Sequence, residues 1–306
     1  MQTILGANGT IGKLLARELK TYSEQIRLVS RKPQKINETD ELFPADLSDP
    51  AQVDGAVKGS KVVYLLIGFE YNIRVWQKNW PTLMRAVLDA CIKYNSKLVF
   101  FDNMYLYDKD AISHMTENST INPPSKKGKV RKEISDMLFN DVKSGKVKAL
   151  IARSADFYGP DNERSFLIEV VYKNLKKGKS PMWFMDMNKK HSFTFTPDAA
   201  KAIAILGNAD EAYNQVWHVP TDPNTLTGKE IISLFQAEMK TDKKITVIPM
   251  WMLKIIGIFM PLMREMPEMM YQYDRGYVFD SSKFIRRFNF QPTPYSLGVK
   301  KTIENN

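Results

Sequence analysis

The chain has 306 residues, one cysteine and 44 Lys and Arg against 34 Asp and Glu, for a formal net charge of +10. A hydrophobic content of 43% with 25% charged residues is that of an ordinary globule, which excludes disordered, collagen-like and disulfide-stapled chains, and the length allows two domains of roughly 150 residues. Cys91 has no internal partner, and the opening Met1-Gln2-Thr3-Ile4-Leu5-Gly6 has neither a basic stretch nor a long apolar one, so the expected address is the cytosol.

In chain order, residues 2–5 predict a first strand, and Ile11, Leu14, Leu15 and Leu19 recur at helical spacing through 10–22. A second strand is expected at 26–30, a short third at Leu42-Phe43 and a helix at 50–58. Residues 62–67 run apolar between Gly59 and Gly68, the pattern of a strand covered on both faces of a parallel sheet. Ile73, Trp76, Leu83, Val87, Leu88 and Cys91 mark a long helix over 73–94, bent at Pro81. A fifth strand follows at 97–101. Pro123-Pro124-Ser125 opens a helix that turns Val130, Ile134 and Leu138 inward, and a strand follows at 147–152.

This alternation predicts an α/β fold, a doubly wound parallel sheet of Rossmann type over residues 1–160 that later segments complete. Residues 161–306 are expected to form mainly a smaller C-terminal α+β substrate cap. It would hold helices near 163–176, 197–207, 227–239 and 251–270, and strands near 182–184, 193–196, 215–219 and 244–248. The apolar stretch Met250 to Met263 is shorter than the roughly 20 residues of a membrane span. It reads as a buried helix, or else as a Met-rich lid or a surface that touches lipid. The dense run Lys126, Lys127, Lys129, Arg131 and Lys132 reads as mostly a solvated helix face rather than a nucleic-acid footprint.

Gly6-Ala7-Asn8-Gly9-Thr10-Ile11-Gly12 lies between the first strand and the first helix. Gly6 permits a tight turn, Gly9 lets backbone approach a pyrophosphate, and Gly12 lets helix pack closely on strand. The helix N-terminus would aim its N–H groups at the phosphates. Gly6, Asn8, Gly9, Thr10 and Ile11 are therefore the expected pyrophosphate cradle. A cofactor with a free ribose 2′-hydroxyl calls for an acid at the end of the second strand, and a 2′-phosphate calls for a cation. The chain offers Val29-Ser30-Arg31-Lys32, so Arg31 and Ser30 are expected to select NADP over NAD.

These motifs resemble the extended, or atypical, short-chain dehydrogenase/reductases, the NAD-dependent epimerase/dehydratase family. The GxxGxxG spacing is similar, as are Asp46-Leu47 after the third strand, which the resemblance places beside adenine. So are Arg153-Ser154-Ala155-Asp156-Phe157-Tyr158-Gly159-Pro160, Thr196-Pro197-Asp198-Ala199-Ala200, and Trp217-His218-Val219, which the resemblance assigns to a strand of the cap. The same resemblance adds Leu66, Ser154 and Phe157 to the cofactor contacts. It implies a nicotinamide cofactor and a carbonyl or hydroxyl substrate.

The catalytic set departs from the family's pattern, a hydroxyl after strand five and Tyr-x-x-x-Lys at the next helix start. Asn103 stands at the hydroxyl position, Lys127 at the tyrosine position and Arg131 at the lysine position. Lys127 and Arg131 lie one helical turn apart, so the like charge is expected to disfavour protonation of the lysine. Lys127 could then exchange a proton in place of tyrosine while Asn103 donates a hydrogen bond. Alternatively, both cations bind cofactor phosphate or ribose, or stay at the surface. Lys127 is accordingly also a cofactor candidate. Tyr105, which leaves the carboxyl edge of the sheet, and Tyr107 are either reserve proton donors or aromatic walls of the pocket. Asp156 either pairs with Lys127 or orients substrate, or else caps a turn, and Tyr158 joins it as a substrate candidate. The matches Tyr105…Lys109 and Tyr172…Lys176 are chance-level patterns. His114, His191 and His218 lack ligand spacing, so no metal is expected.

The sequence thus reads as an NADP(H)-dependent oxidoreductase or isomerase acting on a small molecule, apolar or aromatic in character. The alternative is a non-catalytic NADP-binding sensor or scaffold. Neither nucleic acid nor a transmembrane span is expected. The family resemblance implies that a homodimer could form through the helices at 73–94 and 125–144.

Overall fold

The computed structural model describes residues 1–162 and 165–305. They divide into two units. The first contains Met1–Asn103, Lys127–Arg153 and Ala199–Val219, and the second contains Met104–Lys126, Ser154–Asp198 and Pro220–Asn306.

The first unit is built on seven strands: β1 (Gln2–Leu5), β2 (Ile26–Ser30), β3 (Glu41–Pro44), β4 (Val62–Leu65), β5 (Lys97–Asn103), β6 (Ala149–Ser154) and Val216–His218. Every side chain of β1, β4 and β6 is buried, because helices on both faces leave no side of the central strands to water. The sheet order is Val216–His218, β6, β5, β4, β1, β2, β3, and β1 runs parallel to both β2 and β4. Leu5 stands in register with Val29 and with Leu65. Gly6 and Leu66, which follow β1 and β4, and Ser30, which ends β2, therefore emerge together at the carboxyl edge. There the strand order reverses, which is where open α/β sheets form a crevice.

The helices of this unit carry local reasons for their bounds. In α1 (Thr10–Leu19) the buried residues Ile11, Leu15, Ala16 and Leu19 form one stripe. Asp49 caps α2 (Pro50–Val57), accepting from the Ala51 N–H, with Pro50 in its first turn. In α3 (Ile73–Tyr94), Asn72 accepts from the N–H groups of Arg74 and Val75, and Asn95 ends the helix in the left-handed conformation. Pro81 lies within that helix, whose bounds are unbroken by it. The helix α4 (Lys126–Lys143) begins after Pro123-Pro124-Ser125.

Trp217 and His218, expected in a cap strand, instead pair with Ala152 and Arg153 as the edge strand of the main sheet. A three-residue strand takes its place from its long-range partner, which local pattern does not reveal.

In the second unit, Asp156–Tyr158 pairs with Phe193–Phe195 and Met182–Phe184 pairs with Thr246–Ile248, both in parallel. Trp183, Phe193, Phe235, Tyr158 and Leu253 belong to one apolar cluster. Thr227 and Glu230 form a reciprocal capping box that starts the helix Gly228–Glu238. Of the helix expected near 163–176, positions 163 and 164 lie outside the described residues; the rest includes a wide turn, Ile168–Tyr172, followed by Lys173–Lys176. The single helix expected over 251–270 is three pieces: Met250–Phe259, Pro261–Arg264 and a 3-10 segment Pro267–Gln272. Met260 is extended (φ −120°, ψ 110°), as a residue before proline prefers to be, and that ends the first helix.

Candidate functional site: a dinucleotide cleft and two polar clusters

Backbone hydrogen bonds shape the turn after β1. The N–H groups of Gly6 and Ala7 donate to Val29 O at 3.0 and 3.1 Å, and Gly9 N–H donates to Gly6 O at 3.1 Å. Gly6 has φ +98°, a conformation that favours glycine. A Cβ at Gly12 would lie 2.7 Å from Gly6 O and 2.8 Å from Ala7 O, so only glycine lets α1 approach the turn this closely. At Gly9 the nearest atom to such a Cβ is 3.5 Å away. No side chain caps α1 at Gly9, and no acid stands in its first turn. Thr10 and Ile11 begin that helix, whose positive end suits an anion.

Gly6, Asn8 and Gly9 line a cleft of about 390 Å³ together with Ser30, Arg31, Asp46, Leu47 and Leu66. Ala45, Ser48, Ile67, Gly68 and Phe69, which the motif reading missed, complete its wall. The only sequence signal for them was that the apolar run after Val62 stops at Gly68. Asn8 Nδ2 donates to Lys32 O at 2.8 Å, fixing the loop beyond β2 to the turn. Asp46 accepts from Ser48 N–H at 3.0 Å and Ser48 O–H at 2.8 Å. These bonds hold its carboxyl below the ordinary value, with a smaller pull from the Arg31 charge. Ser30 Oγ is buried and has no hydrogen-bond partner. An uncapped helix end and a cation border one cleft, a donor set that fits the phosphates of a dinucleotide.

The basic run on α4 is not uniformly solvated. Lys126 and Lys129 are exposed, whereas Lys127 (0%) and Arg131 (5%) are buried. They share the inward stripe with Val130 and Ile134, and aromatic partners make that burial possible. Lys127 Nζ lies 4.6 Å from the centre of the Tyr71 ring. The Arg131 guanidinium lies 4.0 Å from the centre of Trp80 and 4.6 Å from that of Trp76. Its Nη1 is 3.3 Å from Asp102 Oδ1, and Arg153 Nε is 3.9 Å from Asp102 Oδ2. Burial pushes the Asp102 carboxyl up, while Arg131 and Arg153 pull it down. Asp102 directly precedes Asn103, the last residue of β5. Its signal was in the sequence, as an acid directly after the apolar run at 98–101.

The second unit holds another group of the expected residues. Asp156 Oδ2 lies 3.0 Å from His191 Nε2 and accepts from Tyr273 O–H at 3.1 Å. The His191 ring is stacked between Tyr277 (4.2 Å, 6°) and Tyr273 (4.7 Å, 23°). Burial raises both tyrosine hydroxyls well above their ordinary value, and the Asp156 charge adds to the effect. Asp156 is therefore engaged by His191 and Tyr273, neither of which spacing along the chain could reveal. Tyr105 packs against the cluster of Met104, Tyr107, Ile112, Met115 and Tyr277, in which Tyr107 is fully buried. Tyr158 is 1% exposed, its ring beside Phe195 and Tyr295, so it presents no open surface in this unit. Ser154, at the end of β6, is buried with its Oγ lacking a hydrogen-bond partner, and Phe157 lies in the following strand.

A parallel sheet with a phosphate-type turn at its point of reversal defines a dinucleotide-binding protein of the doubly wound class. The sequence pattern of the NAD dependent epimerase/dehydratase family matches residues 3–219, and the chain belongs to that family. No curated protein matches the chain by sequence. Among solved structures, it is similar to UDP-N-acetylglucosamine 4-epimerase from Methanobrevibacter ruminantium M1, with a TM-score of 0.80 and 16% identity over 99% of this chain and 96% of that one. It is also similar to UDP-glucose 4-epimerase from Thermus thermophilus, solved with NAD (TM-score 0.78, 15% identity, 100% and 98% covered). A third is the dTDP-glucose 4,6-dehydratase DesIV from Streptomyces venezuelae, a double mutant solved with NAD (0.79, 14%, 99% and 96%). At these identities the likeness is one of fold.

Proposed function

We propose that the protein is an NADP(H)-dependent oxidoreductase or isomerase acting on a carbonyl or hydroxyl carbon of a small molecule. The observation that carries the reading is that Arg31 and its neighbour Ser30 both line the cleft beyond β2. A guanidinium and a hydroxyl bind a 2′-phosphate, and no acid ends this strand to accept from a free ribose hydroxyl. Gly6, Asn8, Gly9, Thr10 and Ile11 hold the diphosphate, Asp46 and Leu47 border adenine, and Leu66, Ser154 and Phe157 contribute to the remaining cofactor contacts.

Bound nicotinamide would supply the hydride donor or acceptor. Lys127 Nζ passes a proton to the substrate oxygen on reduction and takes it back on oxidation, while the Asn103 amide donates a hydrogen bond to that oxygen. Arg131, stacked on Trp80 and paired with Asp102, acts as a positioning residue that holds the start of α4. Tyr105 is the reserve donor. The aromatic and methionine content of residues 161–306 favours an apolar or aromatic substrate. Sugar nucleotides, named for the solved neighbours, form the second class to assay.

Fluorescence titration with NADPH and NADH, followed by NADPH oxidation with both substrate classes, tests the reading. NADPH should bind at least about tenfold tighter than NADH, and equal affinities would overturn the Arg31 assignment. Lys127→Ala should abolish turnover while leaving cofactor affinity largely intact. The departure from Tyr-x-x-x-Lys at Lys127 and Arg131 favours one rival, a non-catalytic NADP sensor. That rival wins if no turnover is found and Lys127→Ala instead destroys binding.

A further inference from the structure

Nine large apolar side chains are exposed among the described residues, and five of them, Trp251, Ile255, Ile258, Phe259 and Met260, fall within ten consecutive positions. The first four stand at i, i+4, i+7 and i+8 of the helix Met250–Phe259 and so form one stripe. Leu253 and Gly257 are its buried residues. A Cβ at Gly257 would meet Arg264 backbone at 3.1 Å, so the inward side sits tightly on the next segment while the outward side carries Phe259 at 80% exposure. Folded soluble chains seldom leave so continuous an apolar stripe to water, and where they do it marks an interaction surface.

We propose that this helix is an in-plane anchor for the surface of an anionic phospholipid bilayer. Ten residues span about 15 Å, half the roughly 30 Å hydrocarbon thickness, and no helix of the described residues is long and apolar enough to cross a membrane. An interfacial helix needs a broad apolar face and flanking cations. Lys254, the only charged residue of the helix, borders the stripe, where its ammonium can reach lipid phosphate while its stem stays apolar. Arg264 donates to the carbonyls of Gly257 and Ile258, adding a second cation at the helix end.

More positive charge lies one short strand away. Thr246–Ile248 leads into the helix and pairs in parallel with Met182–Phe184. The exposed lysines 240, 243 and 244 precede the first of these strands, and the exposed lysines 176, 177 and 179 precede the second. The parallel register brings both sets to one end of the pair, and Lys244, the nearest in sequence, precedes the helix start at Met250 by six residues, at most about 20 Å at 3.3 Å per residue. Asp242 is the one acid between Lys240 and the helix. Charge decides the occupant. Packing this face against a second copy would bring two Lys254 ammonium groups into one dry interface and join two chains of net charge +10. An anionic leaflet attracts the same charges.

Flotation with vesicles of phosphatidylglycerol and phosphatidylcholine in equal parts, against phosphatidylcholine alone, tests this. Wild-type chain should partition at least about tenfold more strongly onto the anionic vesicles, and less as salt rises. The double variant Ile258→Glu with Phe259→Glu changes only exposed positions. It should keep the wild-type melting temperature and lose at least about tenfold in partitioning. Failure to float with anionic vesicles at low ionic strength overturns the proposal. So does flotation untouched by the double variant, which would reduce the effect to bulk charge. Analytical ultracentrifugation reads the rival occupant: a dimer dispersed by the same variant assigns the face to a second copy.

Discussion

Arg131 and Asp102 form an ion pair inside the first unit, with Nη1 3.3 Å from Oδ1 and both side chains almost wholly buried. The guanidinium fits there because Trp76 and Trp80 offer ring faces as well as a carboxylate. Replacing Arg131 by Met would leave Asp102 with only the more distant Arg153 charge. Breaking a buried pair from one side costs about 3 kcal/mol or more, since the remaining charge stays desolvated. Urea denaturation of Arg131→Met should show a loss of that size. A variant as stable as wild type would mean that the pair contributes nothing net.

Gly9 and Gly12 separate binding from packing. An added Cβ at Gly12 meets backbone oxygens at 2.7 and 2.8 Å, whereas at Gly9 the nearest atom is 3.5 Å away. Gly12→Ala should therefore cost about 1–3 kcal/mol of stability through overpacking and lower NADPH affinity as the turn shifts. Gly9→Ala should melt within a few degrees of wild type and still bind NADPH at least about tenfold more weakly, because its methyl occupies the approach to the diphosphate. Thermal melts and cofactor titrations of the two variants distinguish these outcomes. Equal melting temperatures would refute the close-packing account of Gly12.

What can be read from sequence is what local chemistry dictates. The turn at Gly6–Gly12 lies between a strand and a helix because apolar periodicity changes there, and α3 has the expected bounds because Asn72 and Asn95 cap it. Apolar content alone reads the 251–270 segment as one helix, although the prolines at 261 and 267 that divide it are visible in the sequence. Partners far apart in the chain are not legible. Tyr71 against Lys127 and His191 against Asp156 have no spacing rule, since tertiary packing alone brings them together. The basic run on α4 reads as solvated for the same reason, its aromatic cover lying more than forty residues earlier.

Asp156 is the shared acceptor of His191 and Tyr273. Asp156→Ala would strip a hydrogen-bond partner from two buried rings, at about 1–3 kcal/mol. Asp156→Asn retains an acceptor oxygen and should recover more than half of that loss. Chemical denaturation of the pair checks the ordering, and an Asn variant as unstable as the Ala variant would show that charge, rather than hydrogen bonding, holds the cluster.

Cys91 supplies a pH-dependent prediction. Its thiol is fully buried on the inward stripe of α3, and burial pushes it from 9.0 up to about 12. Because the folded state favours the neutral thiol, this group's contribution to stability is fully present below the unfolded value near 9. It is lost as pH rises from there towards 12. At pH 8 the native chain should therefore react with a thiol-specific disulfide reagent at least about a hundredfold more slowly than the chain in denaturant, since labelling awaits opening of α3. Stability measured by denaturant should fall across pH 9 to 11, and Cys91→Ala should show a shallower fall, because no thiol remains to ionise on unfolding. Rapid labelling of the native chain at pH 8 would contradict the burial of Cys91 and, with it, the packing of the C-terminal half of α3.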